Sequence, residues 1–309
     1  MNIQAILQRD SRLLQAALCL DISSARIEVQ CLLQVVLQVN RAYLLTHPER
    51  ELGADEAARY VALFERRVLG EPVAYLLGVR EFYGLNFKVT PATLIPRPDT
   101  ELLVELALLK IPSLPTLLVE QLSESVDTRI ALYPPYMSPV NGRGFRVLDM
   151  GTGSGAIALA IAHTRPDVDV VAVDASETAL IVAQFNAQAL KVHNVRLLHS
   201  DWYAALADER FDLIVSNPPY IEADDVHLLQ GDVRFEPLTA LASGSDGLDD
   251  IRRITQDAMC HLNCGGWLML EHGYNQAAQV RRLLQQSGFA EISSVRDLSG
   301  IERVTMGRA

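Results

Sequence analysis

From about residue 146 the sequence predicts an α/β fold, a mostly parallel sheet of seven strands with helices on both faces. Three observations carry this. Short apolar runs alternate with segments of helical length, the pattern of linked β-α-β units. Several runs stop abruptly at a polar or glycine residue, at Gly151, Asp174, Asp201 and Asn217. The last two runs follow one another with no helix between them, so they must pair as a hairpin and make one edge antiparallel.

In chain order, 146–150 is a strand, the glycines Gly151, Gly153 and Gly155 open a helix over 156–164, and 168–173 is the next strand, ending in Asp174. A crossover helix over 176–190 leads to a strand over 195–200 that ends in Asp201-Trp202. The fourth strand, 211–216, ends in Asn217-Pro218-Pro219-Tyr220. A helix over 246–262 places Leu248, Ile251, Ile254, Met259 and Leu262 on one face, and Gly265-Gly266 stops it. Then follow a strand over 267–271, a helix over 275–286, and strands around 292–296 and 303–306.

The N-terminal part has a different texture. Residues 1–77 read as helical throughout, with an apolar stripe through Ile3, Ile6, Leu7, Leu13 and Leu14, further helices over 25–39 and 55–69, and Gly70 as a helix stop. They carry no chemical motif, so recognition is their natural role. Residues 78–98 form a connector. Glu81 to Thr90 alternates aromatic and polar residues about Gly84 and reads as a β-hairpin, and a stiff two-proline stretch ends in a helix-start signal at Asp99 or Thr100. Taken alone, that stretch reads as a linker. A helix follows over 101–110. The third region, 99–309, contains the sheet, broken by a proline-bearing insertion over about 111–145 in which 117–130 has room for a helix. Pro134-Pro135-Tyr136 in this insertion imitates the tip of the fourth strand but follows Tyr133, not Asn, and is read as a decoy.

Composition excludes several classes. No run approaches the ~18 consecutive apolar residues of a membrane span. Arg9, Asp10 and Arg12 stand where a signal peptide needs an apolar core, so a cytoplasmic location is expected. A net charge of −11 argues against tight binding to a phosphate backbone. The cysteines Cys19, Cys31, Cys260 and Cys264 give no disulfide framework. Cys260 and Cys264 bracket His261, but without a second ligand pair they read as buried structural thiols, and no metal is expected.

The tip of the fourth strand is the least ordinary stretch. Neither proline donates a backbone hydrogen bond, and Pro218 restricts Asn217 to extended backbone. The result is a stiff end presenting an amide, a bare carbonyl and an aromatic ring. It suits a clamp for a planar NH2 group and, equally, a plain strand terminator. The other strand ends bear on the choice. In sheets of this kind ligands bind beyond the carboxyl ends of the strands. Gly151-Thr152-Gly153-Ser154-Gly155 lets backbone approach a ligand, and Asp174 is placed for ribose hydroxyls. The loop also fits the dinucleotide pattern of NAD enzymes. Two features favour another ligand. Asp149 suits an ammonium group and repels a pyrophosphate, and Asp201-Trp202 can address an adenine. S-adenosylmethionine meets both conditions. With that cofactor the tip reads as an amide clamp, in which the Asn217 side-chain carbonyl and the Pro218 backbone carbonyl accept two N–H groups and Tyr220 limits rotation. Such a site needs no catalytic base, so His272 is read as structural.

Five stretches then resemble one family. They are Gly78 to Gly84, Thr93-Leu-Ile-Pro-Arg-Pro-Asp-Thr-Glu101, Leu148 to Gly155, Asn217 to Tyr220, and Gly231-Asp-Val-Arg-Phe-Glu-Pro-Leu-Thr-Ala-Leu241. Together they resemble the HemK/PrmC family of peptide chain release factor glutamine N5-methyltransferases, over nearly the whole chain. The resemblance implies a helical substrate-recognition domain, a hairpin connector and a class I Rossmann-like methyltransferase domain. It implies S-adenosylmethionine as cofactor and the glutamine of the Gly-Gly-Gln tripeptide in class 1 release factors as substrate. It assigns Gly151, Thr152, Gly153, Ser154, Gly155, Asp174, Trp202 and Asn217 to the cofactor. Asn217, Pro218, Pro219 and Tyr220 it assigns to the substrate amide, with Phe82 bordering the same pocket. The chain departs from the family in its long 111–145 insertion and in Ile301, where an Asn is common.

Three other readings compete. A ribosomal protein glutamine methyltransferase fits the Gly231 to Leu241 stretch less well. A DNA amino-methyltransferase must extrude its base and needs a basic cleft to do so, and the net charge and the lack of a Lys/Arg cluster in the sequence count against it. A non-catalytic adenosine-ligand sensor would share the cofactor loop without the transfer chemistry.

Overall fold

The computed structural model describes residues 1–112 and 144–309 of the 309-residue chain. Most of the 111–145 insertion, with its Pro134-Pro135-Tyr136 decoy, lies outside the described residues. The chain divides into two compact units: Met1–Arg80, Lys88–Ile95 and Asp224–Leu238 form the first, and Glu81–Phe87, Pro96–Ala223 and Thr239–Ala309 the second.

The first unit is helical. It contains α1 (Ile3–Leu18), α2 (Ile22–Leu37), α3 (Arg41–Thr46), α4 (Ala54–Val68) and α5 (Val73–Leu77). Asn2 caps α1 by accepting from Ala5 N–H, and Asp21 caps α2 by accepting from Ser23 and Ser24 N–H. The apolar stripe of α1 meets Val29, Leu32 and Leu33 of α2 and Tyr60 and Phe64 of α4 in one buried core. Leu13, expected on that stripe, is exposed.

The segment Asp224–Leu238, which sequence order places in the 99–309 region, groups with this helical unit. Arg67 of α4, 3% exposed, explains how. Its guanidinium donates twice to Glu28, at 2.7 and 3.1 Å, and to Asp232 at 2.9 Å, and also caps the carbonyls of Gly70 and Glu71. Glu236 accepts from Ile95 N–H at 3.0 Å. Thus the Gly231 to Leu241 motif is largely a piece of the helical unit, joined by contacts spanning up to 165 residues.

The hairpin β1 (Val79–Phe82) and β2 (Leu85–Lys88) pairs as expected. The second unit then holds α6 (Glu101–Lys110) and β3 (Arg146–Met150). Next come α7 (Ala156–Thr164), β4 (Asp169–Asp174), α8 (Glu177–Ala189), β5 (Val195–His199) and β6 (Phe211–Ser216). The chain ends with α9 (Asp249–His261), β7 (Leu262–Glu271), α10 (Ala277–Gln286), β8 (Ala290–Arg296) and β9 (Glu302–Arg308). The sheet order is β5-β4-β3-β6-β7-β9-β8. All neighbours are parallel through β7, and β9 runs antiparallel to both β7 and β8. The closing hairpin therefore supplies the antiparallel edge, with its second strand inserted between β7 and its first.

Alternate strand residues face opposite sides of the sheet. Val147, Val170, Leu213 and Val215 enter one buried layer with α6 and α7, whereas Leu148, Val171, Ile214 and Leu268 enter another with α9 and α10. Both faces are thus covered, as a parallel sheet requires.

Two sequence expectations change. β7 begins at Leu262, directly after α9, and passes through Gly265-Gly266, which the sequence reads as a gap before a strand at 267; the pairing with β6 shifts register there. In consequence Cys260 lies on a helix and Cys264 on a strand, so they do not share a helix face. Both are exposed, so the expectation that these two are buried thiols fails; Cys19 is exposed and Cys31 half-buried. Among the described residues, no three metal-ligating side chains lie together, and no helix is long and apolar enough to cross a membrane.

Candidate active site

The strand order reverses between β3 and β6, whose carboxyl ends lie side by side with Met150 opposite Ser216. Reversal of this kind opens a crevice at the strand ends. The loop after β3 and the tip after β6 therefore meet at one edge, and a bond from the Ser216 hydroxyl to the Met150 carbonyl, 2.7 Å, fastens them.

The glycine loop is shaped by two carboxylates. Asp149, fully buried, accepts from the Thr152 hydroxyl at 2.6 Å and from Ala158 N–H at 3.1 Å through one oxygen. Its other oxygen, Oδ1, has no partner. Burial pushes this carboxyl up to about 7, although the two hydrogen bonds oppose the shift. Asp174 accepts from Gly153 N–H and Ser176 N–H, each at 2.8 Å, and burial raises its carboxyl too. Gly155 has φ +84°, and a Cβ there would sit 2.9 Å from Leu159 Cδ1 and 3.2 Å from Ala183 Cβ, so the turn into α7 favours a glycine.

Trp202 lies against the same loop. A Cβ on Gly151 would stand 3.6 Å from its ring, and the indole N–H donates to Asp250 at 3.2 Å. Trp202 has φ +51°, held by the Ser200 hydroxyl donating to its carbonyl. Asp201, expected beside an adenine, is exposed and paired with Arg253 at 2.7 Å. Asp250 is thus the carboxylate that orients the indole, and nothing in its helical surroundings marks it in the sequence.

At the tip, Asn217 Nδ2–H donates to the Thr100 hydroxyl at 3.1 Å. Its Oδ1 makes no hydrogen bond among the described residues. Tyr220 is anchored by its backbone: its N–H donates to the Leu241 carbonyl at 3.2 Å, and its carbonyl accepts from Gln276 Nε2 at 3.0 Å. Its hydroxyl lies 3.5 Å from Glu271 Oε1, and burial with the Glu271 charge raises the phenol. His272 is buried between the Gly273 carbonyl and the Thr305 hydroxyl, and burial lowers its imidazole, so it serves the fold.

Phe82 goes the other way. It is 1% exposed and packs edge-to-face on Phe87 within the core, because strand alternation turns both rings inward. It lines no open surface, contrary to the expectation that it borders the pocket.

These residues suit S-adenosylmethionine. The charges nearest the loop are carboxylates, one with an unpartnered buried oxygen, and they would attract a cationic sulfonium and ammonium while repelling a pyrophosphate. Sheet order, glycine loop and carboxylates together define a class I S-adenosylmethionine-dependent methyltransferase.

Comparison with known proteins narrows this class. The PrmC N-terminal domain family matches residues 5–78, and the Methyltransferase small domain family matches 126–232. A release factor glutamine methyltransferase of Escherichia coli (strain K12) is 44% identical over 285 residues, covering 92% of each chain. Another, from Xylella fastidiosa (strain 9a5c), is 46% identical over 283 residues, covering 92% of this chain and 93% of that protein. The fold is shared with a methyltransferase from Pyrococcus furiosus at 16% identity and a TM-score of 0.50, over 79% of this chain and 96% of that one. The chain belongs to the release factor glutamine methyltransferase family.

Proposed function

We propose that the protein methylates the side-chain amide nitrogen, N5, of the glutamine in the Gly-Gly-Gln motif of class 1 peptide chain release factors, acting in the cytoplasm. The observation that carries this reading is the state of Asn217. Its NH2 is committed to Thr100, which leaves its carbonyl oxygen as the unpartnered acceptor at the strand-end crevice.

S-adenosylmethionine, when bound, supplies a methyl group activated on a sulfonium. Gly151 to Gly155, Asp174 and Trp202 would hold it, with Asp149 and Asn217 beside them. An amide nitrogen is a poor nucleophile, and no side chain at the tip is basic enough to deprotonate it. Positioning is therefore the main device. Asn217 Oδ1 and the Pro218 carbonyl accept the two amide hydrogens, while Pro218 and Pro219 keep these acceptors stiff and Tyr220 restricts rotation. The nitrogen would take the methyl as the methyl–sulfur bond breaks with its electron pair to sulfur, leaving a neutral thioether, and one amide proton leaves to water. Alignment of this kind supplies up to roughly 7–11 kcal/mol of the barrier. In this reading residues 1–77 recognise the release factor, 78–98 connect, and 99–309 perform the chemistry, with 224–238 lent to recognition.

The test uses labelled S-adenosylmethionine with purified release factor, its Gln-to-Ala variant, ribosomal protein and DNA in parallel. Label is expected on the release factor alone. Label on DNA, or equal label on the Gln-to-Ala variant, would sink the reading.

A further inference from the structure

Tyr220 closes the tip that begins at Asn217, and one distant side chain holds its carbonyl. Gln276 stands at the N-cap of α10 but gives no bond to the first turn of that helix. It is 5% exposed, and its amide turns instead to backbone groups of three segments. Its Oε1 accepts from Gly273 N–H at 2.8 Å, just after β7. Its Nε2 faces the carbonyls of Tyr220 at 3.0 Å, Asp246 at 3.3 Å and Gly247 at 3.4 Å.

A backbone N–H only donates and a backbone carbonyl only accepts, so these partners fix which way the amide points. A half-turn would set its carbonyl against three carbonyls and its NH2 against an N–H. The packing is close. Gly247 has φ +71°, and a Cβ there would stand 2.2 Å from the Tyr220 carbonyl oxygen and 2.7 Å from Gln276 Nε2. The Gly247 backbone thus lies against the Tyr220 carbonyl, and Gln276 supplies its donor.

The sequence of the tip explains why this anchor matters. Pro218 and Pro219 have no N–H, so after Asn217 the first backbone donor is that of Tyr220, which goes to the Leu241 carbonyl at 3.2 Å. The tip is therefore tied at its entry by the β6 ladder and at its exit by the two backbone bonds of Tyr220. Between these ties two proline rings of fixed φ carry the Pro218 carbonyl. A shift of Tyr220 is passed along this stiff segment to the substrate acceptor.

We propose that Gln276 is a positioning residue for methyl transfer, which acts through Tyr220. By holding the Tyr220 carbonyl it sets where the tip presents the Pro218 carbonyl and the Tyr220 ring. This role rests on the amide-methylation reading, so its test needs one readout that does not depend on turnover.

Tyr220-Ile221 is the one Tyr-Ile step in the sequence. Tyrosine labelled at its carbonyl carbon and isoleucine labelled at nitrogen therefore give a single NMR cross-peak that reports the Tyr220 carbonyl. Gln276→Met keeps the length and removes both functions of the amide. Gln276→Glu, in alkaline buffer, keeps the acceptor for Gly273 and loses the donor. Leu284→Ala opens a cavity at a fully buried position further along α10 and serves as the control for lost stability. Both Gln276 variants are expected to lower kcat by about 100-fold at saturating release factor and cofactor, with KM and cofactor affinity unchanged and the cross-peak shifted. Leu284→Ala should lower the melting temperature and leave kcat and the cross-peak in place. The proposal is overturned if the Gln276 variants keep the wild-type kcat, if the cross-peak stays put, or if the loss falls on KM or cofactor affinity. It is equally overturned if Leu284→Ala loses as much kcat as Gln276→Met. Should Gln276→Glu fail to fold, Gln276→Met carries the same tests. A wild-type enzyme inactive on release factor whose cross-peak still responds to Gln276→Met would refute the substrate and keep the anchor.

Discussion

Replacing Arg67 by Met tests the buried guanidinium cluster through which Asp232 of 224–238 meets α4. The side chain is 3% exposed and makes a two-bond fork to Glu28, itself 19% exposed, and one bond to Asp232, 44% exposed. Removing one partner of a buried pair costs about 3–5 kcal/mol, because the remaining charge stays buried without compensation. The Glu28 fork and the orphaned carbonyls of Gly70 and Glu71 carry that cost. The Asp232 bond is more open to water and contributes about 0–1 kcal/mol. Arg67→Met should therefore lose about 3–5 kcal/mol, Asp232→Asn about 1 kcal/mol or less, and Asp232→Asn should cost nothing further in the Met background. Both tryptophans, Trp202 and Trp267, belong to the second unit. Urea unfolding followed by circular dichroism at 222 nm should shift, while tryptophan fluorescence should move much less. A variant Arg67→Met within about 0.5 kcal/mol of wild type, or equal losses for Arg67→Met and Asp232→Asn, would refute the assignment.

The remaining expectations concern the active site. Asn217→Ala should retain its melting temperature and lose about 100-fold or more in kcat; a sensor protein would instead keep cofactor-dependent partner binding, which a pull-down resolves. Gly155→Ala forces a Cβ to 2.9 Å from Leu159 at φ +84° and should cost about 1–3 kcal/mol in a thermal melt, with weaker cofactor binding by calorimetry; unchanged stability contradicts the packing. Asp149, held up to about 7 by burial, is protonated below that pH and charged above it. Affinity for the cationic cofactor should therefore rise as pH increases through about 7, and the rise should be smaller in Asp149→Asn.

The sheet was legible because each strand end that matters is chemically marked. Leu148 to Gly155, Asp174 and Asn217 to Tyr220 announce where apolar runs stop, and the structure brings all three to one edge. The positions that escaped are those whose meaning lies in a distant partner. Thr100 reads as a helix cap and Asp250 as the polar side of α9; only folding shows their neighbours to be Asn217 and Trp202. Likewise 224–238 follows the tip in sequence and has no local sign that Arg67 holds it. Phe82 was misplaced because a motif match says nothing of which way a strand residue points. The start of β7 was hidden by Gly265-Gly266, which break helices and also let a strand slip register.

The excursion over 224–238 has one more consequence. Just outside it the chain is stitched shut: Ile221 N–H donates to Leu241, Ser243 N–H to Ile221, and Ala223 N–H to Gly244. A loop closed at its neck isolates its contents from the strand tip that precedes it. Lengthening such a loop costs slowly, about 0.6 kcal/mol per doubling. Evolution, or a designer, can therefore rewrite the residues inside the neck while the register of Asn217 and Tyr220 stays fixed. In this architecture the vocabulary for choosing a partner is free to drift, and the grammar of the methyl-transfer site is not.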